Sequence, residues 1–123
     1  MRDDPLRLKD ILTAIDAVQR YVTQGRSHFL QDELVQVWVI HHLQLIGEAG
    51  RNLSDECRAG MPAVPWPRLV GMRNALVHQY FRVMWETVWD TAVTDLPDLK
   101  DQIAQYIERE GIVLPQAPET PAP

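Results

Sequence analysis

The chain has only one cysteine, Cys57, which excludes an internal disulfide and cannot build a thiolate metal cage; a reducing, cytoplasmic setting is expected. No run of eighteen apolar residues occurs, so no membrane-spanning helix is expected. The start, Met1-Arg2-Asp3-Asp4, is acidic and lacks an apolar stretch, so it is not expected to be a secretory signal. Basic residues are in the minority: 12 Lys and Arg stand against 17 Asp and Glu, a formal charge of -5. A broad electrostatic surface for nucleic acid is therefore not expected, and any such contact has to be local. Period-two alternation and internal repeats are missing as well. What remains is 123 residues, 46% of them hydrophobic, enough for one domain with a modest core.

Helical periodicity fills that domain. Asp4-Pro5 reads as an N-cap followed by proline at the first helical position, and Leu8, Ile11, Leu12, Ile15, Val18 and Val22 then recur at three- and four-residue steps up to Gly25. A second apolar block starts at Leu34 and returns to helical spacing through Leu43, Ile46, Ala49 and Leu53. It predicts one long helix from about residue 30 to about 57, apolar around most of its circumference and so buried on more than one side. Gly47 and Gly50 fall inside it, where close approach of another helix would offset their low helix propensity. The Pro62–Pro67 stretch is a stiff loop, followed by a helix from about Trp66 to Tyr80. A short helix around Trp85–Val93 and a last one capped by Asp95 complete the set. The prediction is an all-α, up-and-down bundle of four to five helices over residues 1–112, with a disordered Pro-rich tail over 113–123.

Four functional side chains fall within eight residues: Arg73-Asn74-Ala75-Leu76-Val77-His78-Gln79-Tyr80. At helical spacing Tyr80 lies within about 20° of Arg73, and Asn74 and His78 share a strip about 100–140° away. Leu69, Met72 and Leu76 take the other flank as anchors. Such a set suits cleavage of an RNA phosphodiester. An imidazole can move the proton of a 2′-hydroxyl, and a guanidinium can pair with the phosphate oxygens as charge builds on them. Asn74 can hold a phosphate oxygen or orient the ring. With the 2′-hydroxyl as nucleophile, no metal or other cofactor is required. One histidine serves poorly as both acid and base, and a two-fold dimer would supply a second.

Arg73-x₄-His78-x-Tyr80 resembles the R-x₄-H-x-Y motif of HepT-like toxins, a branch of the HEPN superfamily of helical ribonucleases. Ile46-Gly47-Glu48-Ala49, Pro62-x-x-Pro65-Trp66, Gly71-Met72-Arg73-Asn74, Val88-Trp89-x-Thr91 and Asp95-Leu96-Pro97-x-Leu99 follow the family's order across roughly residues 5–108. The resemblance implies a homodimeric, metal-independent endoribonuclease toxin with Arg73 and His78 catalytic. It also implies a nucleotidyltransferase antitoxin as partner, attaching AMP to Tyr80. Four positions depart from the family: Met84 replaces an aspartate cap, Trp38 a small residue, and His41 and His42 basic residues.

Plainer roles compete at each position. His78 could cap helix carbonyls, and Tyr80 could be an amphipathic wall residue. Arg73 could be a salt-bridge partner of Glu48, whose other candidate is Arg51. Trp66, Trp85 and Trp89 read as core or interface anchors, His41 and His42 point apart and make a poor metal pair, and His28 falls in a loop. Cys57 reads as an inert helix residue. The alternative for the whole chain is a non-catalytic helical subunit that binds substrate for a two-component nucleotidyltransferase.

Overall fold

The computed structural model describes residues 3–78 and 84–116, with the backbone alone for residues 74–78, and its long apolar stripes all lie on helices. Helix α1 (Asp4–Val22) buries Leu8, Ile11, Ile15 and Val18 completely. Its N-cap is Asp3, one residue earlier than expected, and Asp4 has a different task. Burial works to raise the Asp4 carboxyl pKa, but it accepts hydrogen bonds from the Ser54 amide (2.8 Å) and the Ser54 hydroxyl (2.5 Å). These are the largest contributions opposing desolvation, and the carboxyl lies below its ordinary 3.8.

Gly25, at φ 101, turns the chain into α2 (Arg26–Gln31), a helix too short to show a period in the sequence. His28 lies on it rather than in a loop, 3.2 Å from Asp32. Phe29 is fully buried between Trp85 and Trp89, a burial that contributes on the order of 2 kcal/mol.

Helix α3 (Glu33–Asn52) is shorter than the predicted run from 30 to 57. Asp32 caps its start, accepting from the amides of Leu34 and Val35. Its end is set by Leu53, whose extended backbone lets its side chain bury, and by Ser54, which accepts from the Cys57 amide and opens α4 (Asp55–Ala59). A polar cap inside an apolar run thus makes two helices of one. Cys57 is buried on α4, and burial raises its thiol pKa, so the plain reading of an inert helix residue holds.

Helix α5 (Trp66–His78) follows the proline loop, in which Met61 and Val64 are buried. Beyond residue 83, α6 (Trp85–Asp90) passes through a π-helical turn (Thr91–Asp95) into α7 (Leu96–Glu110) without a break. Met84 leaves α6 without a side-chain cap, as its identity predicts. Pro97 cannot donate to the carbonyl one turn back, and it stands just after the π turn, in the first turn of α7. Asp95 is therefore inside continuous helix, not a cap. Its carboxylate instead meets Arg68 of α5 at 2.8 Å. Gly111, at φ 63, ends α7, and Ile112 and Leu114 fold back on the core.

The bundle is all-α, with no strand among the described residues. Helix α3 is its centre, packed on one side by α1 and on the other by α5, while α7 closes against α1. Trp38 fits this arrangement by turning its indole edge toward α1: Nε1 donates to the Ala17 carbonyl at 2.7 Å, and Tyr21 packs edge-on. No described helix is long and apolar enough to cross a membrane.

Candidate active site

Two glycines bring α5 onto α3. A Cβ on Gly50 would stand 3.2 Å from the Trp66 ring, and a Cβ on Gly47 would overlap the Arg73 side chain and come within 3.1 Å of the Leu69 carbonyl. Trp66, Leu69 and Arg73, spaced at three and four residues, therefore form the stripe of α5 that faces α3. The close approach expected at Gly47 and Gly50 is a crossing within the bundle, and it seats the first residue of the R-x₄-H motif.

Beside Gly47 on α3, Glu48 reaches the seated guanidinium. Its Oε2 lies 3.3 Å from Arg73 Nε, so of the two partners left open for Glu48 the structure contains Arg73. Glu48 is held in turn by Asn52, whose amide donates to the Glu48 carbonyl (2.9 Å) and to Oε1 (3.3 Å). The i, i+4 spacing of Glu48 and Asn52 is the sequence signal of this contact. Arg73 keeps 27% of its side chain exposed, so the guanidinium is both oriented and reachable.

Downstream of Arg73 the backbone of α5 stays helical as far as His78, which places Asn74 and His78 at i, i+4 and His78 about 7.5 Å beyond Arg73 along the axis. The side chains of Asn74 and His78, and Tyr80 as a whole, lie outside the described residues. Met72 packs against the core as an anchor, as do Trp85 and Trp89, and Trp66 is buried within it. His42 is not paired with His41 toward a common ligand: its Nδ1 contacts the Trp38 carbonyl at 2.7 Å, and the two imidazoles stand at 88°. Arg68 is taken up by Asp95 across the bundle, a pairing between distant stretches of chain.

An all-α bundle whose R-x₄-H helix is clamped to a central helix by an arginine–glutamate pair has the HEPN-like architecture. Comparison with known proteins takes the assignment further. The Ribonuclease HepT-like family matches residues 11–106. A Methanocaldococcus jannaschii protein named "Putative RNase MJ0125" is 33% identical over 108 residues, covering 87% of this chain and 93% of the relative. "Probable ribonuclease HepT" of Thermococcus cleftensis is 35% identical over 94 residues, covering 76% and 86%. No solved structure matches the chain significantly. The chain belongs to the HepT-like ribonuclease family, and RNA cleavage is the activity this membership gives it.

Proposed function

We propose that the chain is a metal-independent endoribonuclease toxin in which His78 and Arg73 carry the reaction. The observation that supports it is the glycine-seated Arg73–Glu48 pair at the root of the motif helix, which fixes a guanidinium before any substrate arrives. In the reaction, the His78 imidazole takes the proton of a 2′-hydroxyl, and the oxygen attacks the adjacent phosphorus. The bond to the 5′-oxygen breaks, and an imidazolium supplies the leaving oxygen with its proton. Arg73 meets the non-bridging oxygens as their charge grows, and Asn74 supports that contact. A second copy in a homodimer supplies the second imidazole.

Tyr80 is the point of control in this reading. A nucleotidyltransferase antitoxin transfers AMP from ATP to the phenol oxygen and releases pyrophosphate. Each added group brings negative charge and bulk to the place where the RNA phosphate must sit.

The test is cleavage of single-stranded RNA in EDTA by the native chain and by His78→Ala. Cleavage is expected from the first and a loss of at least a hundredfold from the second, the usual contribution of a general acid or base. Undiminished cleavage by His78→Ala overturns the role. For the regulatory step, a partner nucleotidyltransferase with ATP should raise the intact mass by AMP on Tyr80 and leave Tyr80→Phe unmodified.

A further inference from the structure

Helices α1 and α3 leave a groove of about 370 Å³ between them, a volume in the range of small-ligand sites. Arg7 and Asp10 line it from α1, and His42, Leu45, Glu48 and Ala49 line it from α3. Arg7 and Asp10 are one helical turn apart with opposite charges, yet among the described residues they pair neither with each other nor with any third group. The Arg7 Nε is buried and has no hydrogen-bond partner.

The α3 wall of the groove is already set. The His42 Nδ1 contact with the Trp38 carbonyl requires a proton on Nδ1, which makes Nε2 the acceptor of the neutral ring. Trp38 holds that ring at 4.4 Å between centroids. Leu45 and Ala49 give an apolar surface beside it, and Glu48 joins the groove to Arg73.

An apolar surface flanked by an aromatic ring, an available guanidinium and an available carboxylate is the chemistry of a nucleobase site. We propose that the α1–α3 groove is a base-recognition subsite of the ribonuclease centre and that it takes a guanine of the substrate RNA. Guanine places two donors, N1–H and the exocyclic amine, beside the acceptors O6 and N7. The Asp10 carboxylate answers the donors and the Arg7 guanidinium the acceptors. Adenine and uracil lack the paired donors, and a phosphate would be repelled by Asp10. The inference rests on the ribonuclease reading for its substrate but uses none of the residues assigned to cleavage.

The experiment measures binding of short single-stranded RNA to the full-length His78→Ala chain by fluorescence anisotropy, so that cleavage does not intervene. The RNA carries one guanosine, and matched RNAs carry inosine or adenosine at that position. Inosine, which lacks only the exocyclic amine, should bind roughly tenfold more weakly, within the range of one bidentate base contact. Asp10→Asn should abolish the difference between guanosine and inosine. Arg7→Gln should weaken the guanosine RNA, and Arg20→Gln, an exposed charge farther along α1, should preserve the preference. Equal affinity for the three RNAs, or a preference that survives Asp10→Asn, overturns the proposal. The inosine comparison needs no substitution beyond His78→Ala and stands if Asp10→Asn fails to fold. Cleavage by the native chain without guanine preference removes the subsite and leaves the nuclease; guanine preference in a chain that never cleaves does the reverse.

Discussion

Glu48 and Arg73 meet at 3.3 Å across a helix crossing that exists only because residue 47 has no side chain. The acid and the glycine are neighbours on α3, while the arginine comes from α5. The same short segment thus supplies the space for the guanidinium and the charge that orients it.

Gly47→Ala should be destabilising although alanine is the better helix former. The substitution gains about 1 kcal/mol of helix propensity. The new methyl would overlap the Arg73 side chain and crowd the Leu69 carbonyl, backbone that cannot swing away. Overpacking of this kind costs about 1–3 kcal/mol beyond what relaxation recovers. Urea unfolding should show a lowered midpoint and a net loss of up to about 2 kcal/mol, and RNA cleavage should fall with it.

Glu48→Gln separates orientation from stability. Both partners are part exposed, and such pairs contribute about 0–1 kcal/mol, so the unfolding midpoint should barely move. A guanidinium freed from its partner loses its fixed aim, and kcat for RNA cleavage should drop roughly tenfold, the effect of misplaced transition-state contacts. KM should change less. A proportionate loss of stability and activity would make Glu48 a structural residue alone.

Asp4 gives the fold an acid-sensitive lock. Its folded carboxyl pKa lies below 3.8: desolvation works to raise it, and the two Ser54 hydrogen bonds are the largest of the contributions that bring it down. A depressed folded pKa means that the extra stability is fully present above the unfolded value and is lost as pH falls through the folded one. Unfolding followed from pH 7 to pH 2 should show the native chain losing stability below pH 3.8, with Asp4→Asn weaker at neutral pH and flatter in acid. Hydrogen bonds to a charged group set the neutral-pH loss at about 1.5–3 kcal/mol.

Cys57 should resist alkylation while the chain is folded. It is 1% exposed, and burial raises its thiol pKa, so little thiolate forms and reagent cannot reach it. Iodoacetamide at pH 8 should leave the native mass unchanged and add one group after denaturation in urea. Tyr106, whose hydroxyl interacts with Cys57, should keep its proton far into alkali, since desolvation foremost and then the thiol push it up to about 12.

The class of fold was written in periodicity. Leu8, Ile11, Ile15 and Val18 recur every three or four residues because only that spacing gives a helix one buried face, and the same rule located α3, α5 and α7. The family resemblance marked Met84 as a missing cap, and low helix propensity marked Gly47 as a site of close approach. What periodicity could not supply is which polar groups meet across the bundle. Asp4 and Asp95 both carry the signature of a helix cap, yet one bonds Ser54, fifty residues away, and the other pairs with Arg68 on α5. A carboxylate beside a proline satisfies the local rule wherever it stands, and only the packing of distant helices decides whether a stronger partner is within reach. The break at Leu53 and the choice of Arg73 over Arg51 for Glu48 were settled in the same way, by burial and proximity that no single stretch of chain contains.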